Sequence, residues 1–470
     1  MVPVGSFLLL FLNLGQRPLF GAEGRWVEGV REMLLRQDLW VPTINGIPHV
    51  TKPLLPYWLI MFAAKVGPGL NEWTARIPAA LSALMALGAF YWVAERLIGR
   101  QKALWTTGLF LTSFGFFNYA RLTQSEIYQL AWIIAALAWY VRFREETKFW
   151  VYLVFWLLID LAAWSKGLTG LAVPSLVVII DWLVRRETRH LNVKALLASF
   201  LGLVIHFLPY YGTAKAMGSN LPFYLIVREN LLQLVDPYDH REPFYVYLLY
   251  WPELLLPWTP LFLLAFLWAF KRWKDLSMEA RWILMANIAI FLLFTLARCR
   301  RFYYILPIVP FSFWLIGFYL RDSRFRWQRY LPPIFLSVLI LEIAVFAILQ
   351  PRYSSRAEKV FGQRVGEIVK SHPEQKVCAF KKASANLFFY LSLPHPIVVE
   401  KTFEALASCD LVFFRERYFR RNRYLQTLEG RYWVLPPEFR SRDLNKNYIL
   451  VVRDEDLEVP GLIPLKELKP

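Results

Sequence analysis

The chain has 470 residues, of which 57% are hydrophobic, 17% aromatic and only 19% charged. Soluble domains contain about 45–50% apolar and about 25% charged residues, so this composition indicates an integral membrane protein. Three cysteines are too few for a disulfide scaffold. The net charge of +18 recurs in short blocks between apolar runs, which is typical of cytoplasmic loops and argues against a nucleic-acid-binding face.

Several apolar runs reach or approach the ~18–20 residues that cross a bilayer core of ~30 Å. A shorter run at 4–14 is interpreted as a truncated first anchor, because no small-residue cleavage site of a signal peptide follows it. We therefore predict a polytopic α-helical membrane protein with about 11 transmembrane helices. The other ten are expected near 77–95, 103–119, 125–141, 149–164, 168–184, 195–212, 246–270, 282–297, 302–320 and 330–349.

The loop charges predict an orientation. One set of alternate short loops carries 18 Lys and Arg residues, whereas the opposite turns carry five, namely Arg121, Lys166, Arg298, Arg300 and Arg301. Because basic loops stay in the cytoplasm, we expect a cytoplasmic N-terminus in a bacterial inner membrane. The membrane domain would cover residues 1–350, with long outer loops at about 15–76 and 213–245.

Residues 351–470 are richer in charge, and their pattern predicts a small α/β domain on the outer, periplasmic side. A helix is expected over Ala357–Ser371, and strands over Lys376–Phe380, Pro396–Val399, Leu411–Phe414 and Tyr448–Val452. Cys378 and Cys409 both lie in this domain. The sequence is equally compatible with a disulfide and with two buried thiols, because it gives no geometry.

The first outer loop carries an ordered set of short motifs, which continues downstream. It contains Glu23-Gly-Arg25-Trp26, Arg31-Glu32, Asn45-Gly46, Lys52-Pro53 and Pro56-Tyr57-Trp58; later come Lys166-Gly167, Gly170, His240-Arg241-Glu242-Pro243, Leu256-Pro257-Trp258, Arg300-Arg301 and Tyr304. This order resembles that of the aminoarabinose transferases and the protein O-mannosyltransferases, which are polytopic GT-C glycosyltransferases. The resemblance covers roughly residues 15–320, and the tail also fits the outer domain of that family.

The resemblance implies a polyprenyl-phosphate sugar as donor and no other cofactor. Cations at the outer interface would stabilise the developing charge on the leaving phosphate. We predict Arg25, Lys52, Lys166, Arg300 and Arg301 for this role, the alternative being cations that only snorkel to water. The predicted substrate-binding set also includes Trp26, Tyr57, His240, Arg241 and Tyr304.

An acceptor hydroxyl needs a carboxylate to orient it and take its proton. The family has an Asp-Glu pair at the start of the first loop, but here the Asp is replaced by Ala22 and only Glu23 remains. We predict Glu23 and Glu126 as the catalytic acids. The alternatives are that Glu23 caps the helix expected near 24–36 and that Glu126 is a first-turn residue of a span.

Other polar groups are predicted within the bilayer, where they are costly. Asp160 is a candidate partner of Lys166, and His206 is interpreted as a satisfied bundle residue. The six His show no metal-ligand spacing, so no metal site is predicted. The apolar stretch 53–66 is expected to form a helix lying in the interface.

The predicted partners are the lipid-linked donor, a glycolipid, glycan or protein acceptor, and membrane lipids, with no nucleic acid; we expect a monomer. The competing interpretation is a transporter, a lipid-binding protein or a relative that has lost activity, and Ala22 is the feature that favours it.

Overall fold

The computed structural model describes residues 2–232, 236, 242–323, 329–381, 383–402, 404–421, 431–453 and 463–464. The chain forms two compact units. The membrane unit comprises Met1–Leu14 and Val50–Leu349, and the sheet unit comprises Gly15–His49 and Gln350–Pro470. Residues 15–49, which the sequence led us to place in the membrane domain, therefore fold with the C-terminal residues.

The membrane unit is helical. Its α-helices up to residue 226 are α1 (Val2–Phe11), α3 (Leu55–Val66), α4 (Glu72–Ile98), α5 (Arg100–Leu111), α6 (Phe114–Ala120), α7 (Ser125–Phe143), α8 (Phe149–Lys166), α9 (Thr169–Arg185), α10 (Val193–His206), α11 (Leu208–Met217) and α12 (Leu221–Ile226). A π-helical turn Val227–Leu232 follows, and then α13 (Val246–Leu254), α14 (Thr259–Lys271), α15 (Met278–Leu296), α16 (Val309–Asp322) and α17 (Leu331–Glu342), with 3-10 turns Trp273–Asp275 and Phe302–Ile308 and a π-helical stretch Ile343–Leu349. The rings of Phe90, Phe110 and Trp314 stack at 4.5–5.1 Å in its core.

Among the described residues, six helical stretches are long and apolar enough to cross a membrane: Glu72–Ile98, Phe149–Lys166, Val193–Met217, Met278–Leu296, Phe302–Asp322 and Leu331–Ser371. The pair α13 and α14 would be a seventh, bent by 113°. The protein is thus a multi-pass membrane protein, while the count of about 11 spans stays a prediction.

Two apolar runs that we predicted as straight spans, 103–119 and 246–270, are broken helices. Thr112 and Ser113 end α5 by turning their hydroxyls back onto the carbonyls of Gly108 and Phe110. The two breaks satisfy each other, since the Phe114 N–H donates to the Leu256 carbonyl at 2.9 Å and Trp258 Nε1 donates to Thr112 Oγ1 at 3.0 Å. Hydropathy alone does not reveal such a pairing.

The carbonyl end of α1 is held by two buried arginines. Arg121 Nη1 donates to the Leu9 carbonyl and its Nη2 to the Leu12 carbonyl at 2.8 Å. Arg76 Nη1 donates to the Leu14 carbonyl at 2.9 Å. Cations are favourable at the negative end of a helix dipole, so these two charges serve the fold.

The sheet unit contains α2 (Glu23–Arg36) and the hairpin β1 (Thr43–Ile44) and β2 (Ile47–Pro48). Its C-terminal part contains α18 (Gln350–Tyr353), α19 (Ala357–Ser371), α20 (Ala385–Leu391) and α21 (Glu416–Arg421), with 3-10 turns Glu404–Ser408 and Pro437–Phe439. The strands are β3 (Val377–Phe380), β4 (Val398–Glu400), β5 (Leu411–Arg415), β6 (Arg431–Val434), β7 (Tyr448–Val452) and β8 (Ile463–Pro464). They form one sheet in the order β4-β3-β5-β7-β6-β8, in which β3 is parallel to both neighbours and the other pairs are antiparallel.

Alternate residues of β5 pack on opposite faces of this sheet. Leu411 and Phe413 join Phe361 of α19 in one core, and Val412 joins Cys378 and Cys409 in the other. Of the two alternatives left open by the sequence, the disulfide is present, with the Cα atoms of Cys378 and Cys409 6.0 Å apart.

The first-loop segment is attached to this unit by specific hydrogen bonds. Asn45 donates to the Ile397 carbonyl at 2.8 Å and accepts from the Ile397 N–H at 2.7 Å. The Leu19 N–H donates to the Tyr390 hydroxyl at 2.7 Å, and Arg31 donates to the Leu393 carbonyl at 2.8 Å. Several of the first-loop motif residues thus hold the loop in place.

Candidate functional site

A buried ion pair lies at one end of the helices of the membrane unit. Lys166 is the last residue of α8 and Glu126 is the second residue of α7, and Lys166 Nζ lies 3.3 Å from Glu126 Oε1. The two side chains are only 13% and 7% exposed. An acid in the first turn and a base in the last turn both complement the helix dipoles.

Aromatic rings and further cations surround this pair. Lys166 Nζ lies 4.7 Å from the ring centre of Tyr303 and 5.0 Å from that of Tyr304. The Arg301 guanidinium lies 5.9 Å from both rings and donates to the Tyr303 hydroxyl at 2.7 Å. Lys52 and Arg301 are close enough to Lys166 for electrostatic interaction. The structure therefore brings together Lys52, Glu126, Lys166, Arg301 and Tyr304 from the predicted set.

Lys52 also lines a small pocket. Its other walls include Trp164 of α8 and Tyr210 of α11. Trp164 stands two residues before Lys166 on the same helix, so the pocket and the ion pair share a helix end. A ligand in this pocket would meet a cation and two aromatic rings.

Two residues of this cluster, Tyr303 and Tyr119, were not predicted, whereas Glu253 is one of the acids that the sequence places within the bilayer, where a polar residue is a functional candidate. Tyr303 holds Arg301, and Tyr119, at the end of α6, interacts electrostatically with Glu126, Tyr303 and Glu253. Glu253 of α13 is exposed and is thus a second carboxylate beside the cluster. The adjacent tyrosines after Arg300-Arg301 were a usable sequence signal for Tyr303, whereas nothing in the sequence relates residues 119 and 253 to residue 126.

The turn after Lys166 needs glycine. Gly167 has a φ of +134°, and a Cβ there would lie 2.6 Å from Asn230 Oδ1, which accepts a hydrogen bond from the Leu168 N–H at 3.0 Å. A Cβ at Gly170 would lie 2.4 Å from the backbone of α8 at Ala163. Glycine at positions 167 and 170 therefore lets α9 pack closely against α8 after a tight turn. This turn sets the position of Lys166, the last residue of α8.

Arg300, a predicted site residue of the membrane unit, has other surroundings than the cluster. Arg300 donates to the carbonyls of Glu242 at 2.7 Å and Thr295 at 2.8 Å. Tyr57 lies in α3 and is fully buried. Arg300 thus serves backbone carbonyls, unlike its neighbour Arg301.

The first-loop candidates before residue 50 lie in the sheet unit, whereas Lys52 and Tyr57 lie in the membrane unit. Glu23 is fully buried and accepts from Arg17 Nη2 at 3.2 Å and from the Phe20 N–H at 2.9 Å. It is the first residue of α2, whose N-cap is Ala22, and its carboxylate binds the segment just before the helix; the catalytic role and the capping role both stay predictions. Arg25 is exposed and Trp26 is buried in α2.

We expected Asp160 to pair with Lys166, but it pairs with His206. His206 Nδ1 lies 3.2 Å from Asp160 Oδ1, and both side chains are buried between α8 and α10. The predicted pairing was wrong because Asp160 lies about 9 Å from Lys166 along the helix axis, at 1.5 Å per residue. His240 and Arg241 lie outside the described residues. Within the described ranges, no three His, Cys, Asp or Glu side chains form a group that could hold a metal ion.

Comparison with known proteins agrees with this fold. The family model for dolichyl-phosphate-mannose-protein mannosyltransferase matches residues 51–211. An uncharacterised protein of Aquifex aeolicus is 28% identical over 73% of this chain and 67% of its own length. The undecaprenyl phosphate-α-4-amino-4-deoxy-L-arabinose arabinosyl transferase of Aeromonas hydrophila is 26% identical over 65% of this chain and 57% of its own length.

A solved structure is similar over nearly the whole chain. The crystal structure of ArnT from Cupriavidus metallidurans bound to undecaprenyl phosphate superposes with a TM-score of 0.78 and 17% identity, covering 98% of each chain. This likeness establishes the fold. The chain is a multi-pass membrane protein with the fold of the GT-C glycosyltransferases, and it resembles the aminoarabinose transferases and the protein mannosyltransferases.

Proposed function

We propose that the protein is a glycosyltransferase that takes a sugar from a polyprenyl-phosphate donor. The observation that carries the proposal is the cluster in which Lys166 contacts the buried carboxylate of Glu126 and in which Lys52 and Arg301 lie near Lys166. Three cations at one helix end offer charged hydrogen-bond donors to an anionic ligand. The names of the relatives and the ligand of the similar ArnT structure support a lipid phosphate.

In this proposal the three cations bind the donor phosphate and stabilise the charge that develops on it as the glycosidic bond breaks. Arg301 offers a planar fork for two phosphate oxygens, and Lys166 and Lys52 act as point charges. The ring faces of Tyr303 and Tyr304 keep Lys166 in place by cation–π attraction. The resemblance implies attack at C1 of the sugar with inversion.

Glu126 is our proposed acceptor-activating acid. Phosphate binding would draw Lys166 away from Glu126, which frees the carboxylate to orient an acceptor hydroxyl and take its proton. Glu253 is the second carboxylate at this end of the bundle. For Glu23 we propose a positioning role, because Arg17 and the Phe20 N–H already occupy its carboxylate.

We further propose that transfer takes place outside the cytoplasm, on the face opposite the basic loops. The uneven loop charge supports this orientation. In this proposal α1, the broken pair α5 and α6, α7 and α9 also cross the membrane, which together with the seven stretches given above makes about 11 spans. The C-terminal domain would be periplasmic. The acceptor would then be a glycolipid, a glycan or a protein of the cell envelope.

The test uses two adjacent arginines as a matched pair. Arg301→Gln and Lys166→Met should each weaken binding of undecaprenyl phosphate to the purified protein by about 10–100-fold, since a hydrogen bond to a charged group contributes about 1.5–3 kcal/mol. Arg300→Gln removes the same charge one residue away, where the side chain serves carbonyls. It should lower thermal stability and leave phosphate affinity within about threefold.

Equal affinity in all three variants would contradict the proposed phosphate site. Transfer is measured with polyprenyl-phosphate sugars and envelope membranes as acceptor. If the lipid phosphate binds but no sugar moves, while the purified protein in vesicles supports counterflow of the lipid or sugar, the protein is a transporter on this scaffold.

A further inference from the structure

An aromatic cavity of about 200 Å³ lies in the membrane unit, away from the candidate site. Its walls come from the end of α7, the start of α8, the second half of α9 and the start of α10. Seven Phe, Tyr and Trp rings dominate the lining: Trp139, Tyr140, Phe143, Tyr152, Phe155, Trp156 and Trp182. With about 30 Å³ per water molecule, the space holds roughly seven groups of methylene size.

The cavity is separate from the site around Lys166. Trp156 precedes Lys166 by ten residues on α8, which corresponds to about 15 Å at 1.5 Å per residue. Tyr140 follows Glu126 by fourteen residues on α7, or about 21 Å. The two sites therefore occupy opposite ends of the same two helices.

Several polar groups of the lining residues already have hydrogen-bond partners within the protein. Trp139 Nε1 donates to the Val151 carbonyl at 2.9 Å, and Trp156 Nε1 donates to Ser199 Oγ at 2.9 Å. The Tyr140 hydroxyl donates to Asp181 at 2.7 Å. These bonds leave mainly ring faces and CH groups on the cavity walls. The polar exceptions include Arg144, Glu146, His190 and the buried Trp182 Nε1, which has no hydrogen-bond partner among the described residues. The mainly apolar walls favour a hydrocarbon chain over a sugar or a nucleotide.

The loops at this end add positive charge. Residues 142–148 and 185–194 contain seven basic and three acidic residues. Arg142 precedes the lining residue Phe143 in the chain, and Lys194 precedes the lining residue Ala195. Both side chains are exposed, and neither makes an ion pair with the part of the chain that the structure describes. An anionic headgroup would complement them.

We propose that this cavity binds an acyl chain of one anionic phospholipid, whose phosphate is held by Arg142 and Lys194. The chain would fill the space between the rings, and the headgroup would lie among the basic loops, whose Lys and Arg side chains attract anionic lipids. This lipid would tie the loop ends of α7, α8, α9 and α10 together. The proposal does not depend on the proposed transfer reaction.

The first test fills the cavity from α9. Ser175 lines it, whereas Ala172, one turn earlier, is exposed and outside the lining. The wild-type protein, purified in mild detergent and studied by native mass spectrometry, should retain about one phosphatidylglycerol per chain. Ser175→Phe should reduce this occupancy at least fivefold, and Ala172→Phe should keep it.

The second test addresses the headgroup and does not need the filled variant to fold. Delipidated wild-type protein should show a rise in Tm with phosphatidylglycerol that saturates near one lipid per chain, and a much smaller rise with phosphatidylethanolamine. Arg142→Gln combined with Lys194→Gln should remove this preference by about tenfold in affinity. Equal effects of the two lipids, retention of polyprenyl phosphate instead of phospholipid in the cavity, or unchanged occupancy in Ser175→Phe would each overturn the proposal.

Discussion

Both units of this protein bury acidic and basic side chains, but the two units arrange them differently. In the sheet unit, Glu28 accepts two hydrogen bonds of 2.7 Å from Arg31, and that arginine also donates to a backbone carbonyl. In the membrane unit, Glu126 faces Lys166, with Lys52 and Arg301 nearby. In the first arrangement one arginine binds one carboxylate, and in the second two further cations lie near the ion pair.

The difference between the two arrangements distinguishes a structural ion pair from a candidate ligand-binding site. A bidentate pair such as that of Glu28 with Arg31 satisfies its own donors and acceptors, so it stabilises a loop and offers little to a ligand. A cluster of three cations with tyrosine rings at a helix end offers donors to an anion, as we propose. Motif residues of the segment 15–49 therefore contribute to folding here, whereas the proposed site uses Lys52 together with Glu126, Lys166 and Arg301.

The largest expected effect comes from neutralising one acid in each unit, which tests whether the two acids have different roles. Glu126→Gln should reduce sugar transfer by about 10²–10⁴-fold, the usual contribution of a general base, while undecaprenyl phosphate still binds. Glu23→Gln should lower the unfolding temperature, because the Arg17 and Phe20 donors lose a charged acceptor, and reduce transfer less than about threefold. Transfer from polyprenyl-phosphate sugars and thermal unfolding of both variants are the measurements. A larger loss of transfer in Glu23→Gln than in Glu126→Gln would reverse the assignment.

The Lys166 turn offers a second, smaller effect. Gly167→Ala combines a positive φ with a contact of 2.6 Å to Asn230 Oδ1, so the turn must shift and carry Lys166 with it. We expect donor binding to weaken about tenfold. Gly69→Ala is the control, since its φ is also positive, at +84°, but a Cβ there meets nothing within 4 Å. Similar donor affinities for the two variants would show that position 167 does not set the geometry of Lys166.

The sequence predicted much of the fold because apolar runs and charge blocks are local signals. The helix Ala357–Ser371 and the strand Tyr448–Val452 begin and end where their patterns predicted. The breaks near residues 112 and 256 were missed because each is stabilised by the other across 140 residues or more. Positions of that kind depend on tertiary hydrogen bonds, which hydropathy does not contain.

The site was predictable in part for the same reason. The position of each charge in the sequence predicted Lys52, Lys166 and Arg301 one by one. The contact of Lys166 with Glu126 depends on how α8 packs against α7, and the interaction of Tyr119 with Glu126 depends on the position of α6, so neither is visible in a local pattern. In the first loop, the sequence motifs predicted a catalytic or binding role for residues that include structural ones. Asn45, for example, binds Ile397, more than 350 residues away, and no local sequence pattern predicts that partner.

The attachment of the first loop can be tested apart from the site. Asn45→Ala removes both hydrogen bonds to Ile397, whose buried or half-buried backbone groups then lack partners. We expect about 1–3 kcal/mol of lost stability, seen as a lower unfolding temperature and faster proteolysis within residues 15–49. Ile47→Ala, on the same hairpin but exposed, should change neither. Undecaprenyl phosphate affinity should stay within about twofold in both variants; a larger change for Asn45→Ala would link the loop to the site.

The smallest expected effect is a pH dependence confined to the sheet unit. Burial alone would raise the pKa of Glu416, but hydrogen bonds from Arg440, Arg420 and Asn447 outweigh it and hold the pKa below its usual 4.5. A carboxyl with a lowered folded-state pKa stabilises the fold above its unfolded pKa and loses that contribution as the pH falls through the folded value. The Tm difference between wild type and Glu416→Gln should therefore be largest at neutral pH and shrink below pH 4.5. A difference that grows on acidification would mean that Glu416 is neutral in the folded protein, so that the two arginines beside it do not stabilise a charged carboxylate.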